Sequence, residues 1–399
     1  MRYSDRRSFI KIAGGAAVST ALAGCSGGQG GTGGTDSGST ESDGTGGSGG
    51  ATGGDDGGSA DSKRIGISQH RAGGSWITAF FEAGKLYARQ QGYQLETFVH
   101  EQDAAKQISQ VRQMVNQEYD GIVLVPWNES LNGVIQEATD AGIPVFTANN
   151  DAPTSAVKSF TAFGNYGAGR TCAEKMYEAL GNQKPDVDTY RILNVRGDFF
   201  GASNRRTNGF LETIKQHDDV EIVDTVQTDW TRSTALSKVQ TWLNGNEVPH
   251  GIYSSNMTSG LGTYTALDRQ GLVRPKGDAD HVVLTQLDGG PEVNPKIGSG
   301  QIDAAVDQPN YFYIPLAIKQ MQNYWENGDD AIPEPGTELT AEDYSFEPVE
   351  HKGVQLWSEP IWAPATVEQK DGHPHVKTNG IVITQENAEA PYLWGNIWN

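Results

Sequence analysis

The sequence predicts an α/β protein with two doubly wound parallel-sheet lobes joined by a hinge. Three observations carry that prediction. Short apolar or β-branched runs alternate with stretches of helical periodicity. The alternation runs to about residue 147 and restarts near Arg191. The globular stretch, from Lys63 onward, exceeds the usual size of one domain.

The elements follow in order. Arg64 to Ser68 reads as a strand, Trp76 to Gln91 as a helix and Leu95 to Val99 as a strand. In Ala104 to Glu118 the apolar residues Ile108, Val111, Met114 and Val115 recur at helical spacing. Gly121 to Val125 is an apolar strand ended by Pro126, followed by a helix near Ser130–Ala141 and a strand at Pro144–Thr147. After the restart, strands fall at Arg191–Val195, Ile222–Val226, Gly251–Ser254, Val282–Leu287 and Ala304–Asp307. Helices fall at Ser203–His217, Ala235–Leu243 and Leu261–Gln270. Continuous apolar strands between helices imply parallel sheets covered on both faces. In such sheets, ligands sit beyond the carboxyl ends of the strands.

The ends of the chain differ from this pattern. Asp5-Arg6-Arg7-Ser8-Phe9-Ile10-Lys11 reads as a twin-arginine export signal, and a short apolar run follows it. Leu22-Ala23-Gly24-Cys25 resembles a lipobox, which makes residues 1–24 a signal peptide and Cys25 the lipid attachment. Residues 25–62 are mostly Gly, Ser, Thr and Asp with no aromatic residue, so a flexible tether spanning roughly 30–37 Å is expected. From Gly328 to Asn379 periodicity fades, and Gly380 to Thr384 is one last candidate strand. Trp357, Trp362, Trp394 and Trp398 imply that this tail packs on the lobes.

The net charge is −20, from 50 acidic and 30 basic residues, which argues against a nucleic-acid partner. It suits an acidic, halophilic protein in strong salt, where self-repulsion is screened. With only Cys25 and Cys172, no disulfide is expected, and Cys172 reads as a small core residue. His373-Pro374-His375 has no evident third ligand in sequence, so it reads as a solvated loop and no metal site is expected.

The stretch from Arg64 to Gly328 resembles the ribose-type periplasmic binding proteins, the sugar-capture subunits of ATP-driven (ABC) importers. The most specific pieces are Tyr119-Asp120-Gly121-Ile122-Val123-Leu124-Val125-Pro126 and Ala141-Gly142-Ile143-Pro144-Val145. The resemblance implies an N-terminal lobe of residues 63–163, completed by 309–335. It implies a C-terminal lobe of 164–308, completed by 336–399, with crossovers near Phe163 and Gln308 and again beyond Gly328. It also implies a ligand site of Trp76, Asn149, Asn150, Asn204, Trp230, Asn256, Asp288 and Gln308. Asn149-Asn150 departs from the Asp-Arg pair that sugar binders of this type often carry.

These residue types suit a sugar. Indole rings cover its C–H faces, Asn and Gln both donate and accept, and an ionised Asp accepts. The expected protein is an extracellular, lipid-anchored monomer that passes a sugar or polyol to an ABC permease, with no cofactor and no catalytic residue. Asp288→Ala is expected to abolish binding and leave the fold intact. A sensory receptor for a sugar-like ligand is the alternative reading. An exported sugar oxidoreductase is less well supported. The turn His70-Arg71-Ala72-Gly73-Gly74-Ser75 lacks the G-x-G-x-x-G that a dinucleotide needs.

Overall fold

A computed structural model describes residues 62–69, 73–199 and 201–399. Arg6, Arg7, Cys25 and the glycine-rich tether lie outside the described residues. Among the described residues, no helix is long and apolar enough to cross a membrane.

The first lobe starts with β1 (Arg64–Gln69), α1 (Ser75–Gln90), β2 (Gln94–Val99), α2 (Ala104–Asn116) and β3 (Gly121–Leu124). It continues through α3 (Asn132–Asp140), β4 (Val145–Ala148) and β5 (Val157–Phe163). Strands β3 and β4 are buried along their whole length, as sheets covered on both faces require. The edge strand β2 alternates exposed and half-buried residues instead. Asp103 accepts from the amides of Ala105 and Lys106 and so starts α2.

The second lobe repeats the plan. It comprises α4 (Asn165–Gln183), β6 (Tyr190–Arg196), α5 (Gly201–Ile214), β7 (Val220–Gln227), α6 (Arg232–Gly245) and β8 (Gly251–Ser254). Then come α7 (Met257–Arg269), β9 (Val283–Leu287), α8 (Asn294–Gly298) and β10 (Ala304–Asp307). The parallel strands run β2-β1-β3-β4-β5 in one sheet and β7-β6-β8-β9-β10 in the other. Each order reverses beside its first strand, so each lobe opens a crevice at its strand ends there.

The chain then returns to the first lobe. Helix α9 (Tyr313–Asn327) packs on α1 and on β3, β4 and β5. The tail forms β11 (Glu338–Leu339), β12 (Val349–His351), β13 (Val354–Leu356), β14 (Ala365–Lys370), β15 (His373–Thr378), β16 (Ile381–Ile383) and α10 (Trp394–Ile397).

Two expectations for this tail need correction. Residues 336–399 do not all complete the second lobe. Strand β15 pairs in parallel with β5, and β14 and β11 follow it antiparallel, so this stretch extends the first sheet. Only β16 joins the second sheet, antiparallel to β10. The physical reason is that β5 would otherwise be an open edge with unpaired backbone groups. His373 and His375, expected in a solvated loop, lie instead on β15 and are each about 1% exposed.

The tail packs as its tryptophans imply. Trp357, Trp362, Trp394 and Trp398 are all buried. Trp398 Nε1 donates to Glu82 of α1 at 2.7 Å, and Trp394 Nε1 donates to Asp307 of β10 at 2.9 Å. The tail thereby touches both lobes. The chain crosses between the lobes at Phe163–Asn165, Gln308–Asn310 and Thr378–Gly380. The first and third crossings are tied by the Gly164 amide donating to the Thr378 carbonyl at 3.0 Å. Cys172 is a buried core residue whose thiol donates to the Gln286 carbonyl at 3.2 Å.

Candidate ligand-binding site

The strand ends of the two lobes carry most of the expected contacts. On the second lobe they converge on one charged hub. Asp288 directly follows β9 and sits at φ 67°. Its Oδ2 accepts from Arg206 Nη1 at 2.8 Å and its Oδ1 from Gln308 Nε2 at 2.6 Å. Arg206 also donates to Asn165 Oδ1 at 2.7 Å and to the Ser255 carbonyl at 3.0 Å. Tyr313 donates its hydroxyl to Gln308 Oε1 at 3.1 Å. Burial pushes that phenol well above its ordinary pKa, so it stays a donor at neutral pH.

Local sequence explains why Arg206 is buried in a helix. Helices α4 and α5 cross with backbone nearly touching backbone. A Cβ at Gly169 would lie 2.1 Å from the Arg206 carbonyl, and one at Gly209 would lie 2.1 Å from the Tyr166 carbonyl. These two glycines bring α5 against α4 and present Arg206 inward, where it is 4% exposed. Its neighbour Arg205 is exposed. Spacing within α5 marks the face of Arg206, but its carboxylate partner is 82 residues away and has no local signal.

The other second-lobe residues are also anchored. Asn256 Oδ1 caps α7 by accepting from the Ser259 amide at 3.3 Å, and its Nδ2 donates to Thr258 at 2.6 Å. Trp230, at φ 66°, donates from Nε1 to Asp198 Oδ2 at 2.9 Å. Its ring lies over Gly197, where an added Cβ would come within 2.7 Å of it. The Arg206 guanidinium carbon is 5.9 Å from the Trp230 ring centre. Asn204 Oδ1 accepts from Arg196 Nη2 at 3.2 Å.

On the first lobe the expected residues are less engaged. Asn149 follows β4 at φ 62°, and its amide donates to the Thr161 carbonyl. Asn150 Nδ2 donates to the Pro126 carbonyl at 3.4 Å. Trp76, at the head of α1, stacks on Phe80 with ring centres 5.3 Å apart. Its indole N–H is buried and finds no partner among the described residues, as is true of Gln69 Oε1 at the end of β1. Asn310, where the second crossing re-enters the first lobe, donates from Nδ2 to the Trp76 carbonyl at 3.0 Å.

The structure therefore brings Asp288, Gln308, Asn256 and Trp230 together around Arg206. It sets Trp76, Asn149 and Asn150 on the facing lobe. A separate groove of about 630 Å³ lies beside the hinge, lined by residues that include Gly164, Asn165, Arg205, Glu368, Lys377 and Thr378. None of the eight expected contacts lines it.

Asp307, the residue before Gln308, behaves differently from Asp288. Its Oδ1 accepts from the amides of Gly289 and Gln308 and from Trp394 Nε1, each at 2.9 Å. Burial raises its carboxyl to about 7. The Trp394 bond and the two amides oppose that rise, while the nearby Asp288 charge adds to it.

Known proteins share this organisation. The family described as "periplasmic binding protein domain" matches residues 65–329. The D-apiose import binding protein of Actinobacillus succinogenes is 26% identical over 256 residues, covering 62% of this chain and 79% of that protein. The galactofuranose-binding protein of Escherichia coli is 26% identical over 278 residues, covering 66% and 82%. The xylitol-binding protein of Mycolicibacterium smegmatis is 26% identical over 214 residues, and the match spans 59% of its length. A solved solute-binding protein from Bacillus halodurans with bound myo-inositol shares the fold at a TM-score of 0.62 and 20% identity, covering 83% of this chain and 98% of that one. Each of these relatives is named as a binding protein. With the family's domain matched over more than half its length, and with two parallel-sheet lobes joined by three crossings, this chain belongs to the periplasmic binding protein family.

Proposed function

We propose that this chain captures a sugar or sugar-like polyol between its lobes and delivers it to an ABC permease. The observation that carries the reading is the cluster of Asp288, Gln308, Asn256 and Arg206 at second-lobe strand ends, with Trp76 on the other lobe holding a buried indole N–H that has no partner among the described residues. Hydroxyl-rich ligands need rigid donors and acceptors beside an apolar ring wall. The relatives named for apiose, galactofuranose and xylitol support the same ligand class. In this reading the lobes open and close about the three crossings, and the ligand's contacts with both lobes favour the closed form. Trp76 and Trp230 cover the ring faces, Asn149, Asn150, Asn204 and Asn256 meet hydroxyls, and Arg206 holds Asp288 and Gln308 in place.

Calorimetric titration with a panel of pentoses, hexoses and polyols tests the proposal. At least one of them is expected to bind with a 1:1 stoichiometry. Silence across the panel would overturn the ligand class. The further proposal is that Cys25 carries a lipid after twin-arginine export and holds the protein at the extracellular face of the membrane. Its check is fractionation of the expressed full chain. Wild type is expected with the membrane and Cys25→Ala in the soluble fraction, and equal partitioning of the two would sink the anchor.

A further inference from the structure

The tail strand β15 brings His373 and His375 against Asp151, in the loop after β4. His373 Nε2 lies 3.1 Å from both carboxylate oxygens of Asp151, and His375 Nε2 lies 3.0 Å from Oδ2. The two imidazole side chains are 1% and 2% exposed, and the Asp151 side chain is 15% exposed. The rings stack with centres 4.8 Å apart. One ligand atom from each residue falls within 4.8 Å of the others.

Three details separate this cluster from a simple ion pair. His373 Nδ1 lies 3.0 Å from the Thr154 carbonyl, which can only accept. A neutral ring therefore keeps its proton on Nδ1 and aims the Nε2 lone pair at the carboxylate, a repulsion relieved either by a second ring proton or by a metal ion between them. Second, His375 Nε2 is buried and 3.0 Å from Asp151 Oδ2, with no well-aligned hydrogen bond to any of the described residues. Third, the Thr147 hydroxyl donates to Asp151 Oδ1 at 2.9 Å and orients the carboxylate. A carbonyl on the far nitrogen of a histidine and a hydroxyl on the carboxylate are the supports that metal ligands carry.

We propose that Asp151, His373 and His375 form a binding site for a borderline divalent transition metal of the zinc class, which clamps the β14–β15 hairpin to the loop after β4. The spacing fits. Ligands about 2.0–2.1 Å from a tetrahedral zinc sit roughly 3.3 Å from one another, close to the nitrogen–oxygen distances found. The donor set of two imidazoles and one carboxylate suits zinc, cobalt, nickel or copper. It does not suit calcium or magnesium, which take several oxygens. Entry is from the Asp151 side, the most exposed of the three. Lys377 Nζ lies 3.1 Å from His375 Nδ1. Ligation through Nε2 places the ring proton on Nδ1, so the ammonium gives up that contact when metal binds. The clamp adjoins Asn150, so it bears on the first-lobe half of the ligand site without depending on the ligand assigned there.

Titration of the metal-stripped full chain with Co²⁺ and Zn²⁺, followed by visible absorption and calorimetry, tests the site. Wild type is expected to take up one equivalent of Co²⁺ with the intense bands of a low-coordinate, histidine-bound ion, which Zn²⁺ then displaces. His373→Asn with His375→Asn is expected to abolish those bands. Thr147→Val is expected to weaken binding roughly 10–100-fold, the usual effect of losing a supporting group. Absence of stoichiometric uptake by wild type would overturn the proposal, leaving an imidazolium–carboxylate pair. Undiminished uptake in the double variant would also overturn it, since surface carboxylates would then be binding the ion. The wild-type spectrum decides the question even if the double variant fails to fold.

Discussion

The Asp288 hub and the Asp307 seam are two buried carboxylates at the ends of adjacent strands, and they are held in opposite ways. Asp288 faces the guanidinium of Arg206 and the amide of Gln308. Among the described residues, Asp307 accepts from three neutral N–H groups, one of them from the tail residue Trp394. A cation at contact offsets the cost of burying a charge, whereas neutral donors offset it only in part. Burial raises Asp307 to about 7 despite its three hydrogen bonds. The first region is thus a buried ion pair at the proposed ligand site. The second is a seam, sensitive to pH, that joins the tail to the strand carrying Gln308.

The comparison breaks most sharply at Asp288. Asp288→Ala leaves Arg206 buried without its carboxylate, with the ion pair's side chains only 4% and 11% exposed. Stability should fall by about 3–5 kcal/mol, measured as a lower urea midpoint, and ligand binding should be lost. This revises the expectation from sequence that the fold would be untouched. Adding Arg206→Met to Asp288→Ala should restore part of the stability but none of the binding. A double variant as unstable as the sum of the single ones would show that the two residues are not coupled.

The seam responds to pH instead. The folded pKa of Asp307 is about 7, above the roughly 3.9 of an unfolded aspartate. Its stabilising effect is therefore complete below about pH 4 and is lost as pH rises through about 7. Asp307→Asn should flatten stability between about pH 4 and 7 by up to about 1.4 kcal/mol per pH unit relative to wild type. His281 is also raised in the fold: burial lowers it, but the Asp303 hydrogen bond and charge and the Arg274 carbonyl outweigh that. Its contribution has the same sign, being lost as pH rises through its folded pKa. Only the difference between wild type and Asp307→Asn isolates the seam, and parallel pH profiles would refute it. Trp394→Phe probes the seam from the tail side. It removes one of the three donors, so a cost of about 1–3 kcal/mol is expected in thermal or urea unfolding.

How much of this was legible in sequence follows from the range of each interaction. Apolar runs and helical spacing announced both parallel sheets, because those patterns are local. Strand β5 was quieter, since Ser159 and Thr161 are polar yet about 1% exposed. Thr161 is satisfied by Gln320, 159 residues away. Strand β15 is quiet in sequence, and its Pro374 is of a type uncommon in interior strands. Its proline carbonyl still serves the fold by accepting from Ser159. The histidines beside it looked solvated because their carboxylate partner, Asp151, lies 222 residues earlier. Residue types at strand ends suggest the proposed ligand site, whereas the Arg206–Asp288 pair within it comes only with the tertiary structure.

The smallest effect is expected far from both regions, and it sharpens the comparison by serving as its baseline. Asp103 caps α2 through the amides of Ala105 and Lys106, at the exposed start of a first-lobe helix. Asp103→Ala removes those two bonds without burying a charge or opening a cavity, so about 1 kcal/mol should be lost. Because Asp103 bears on neither strand-end carboxylate, the loss should be equal at pH 5 and pH 8, with ligand affinity unchanged. If Asp103→Ala altered affinity as strongly as Asp288→Ala, binding would be following global stability. The hub would then have no special claim on the ligand.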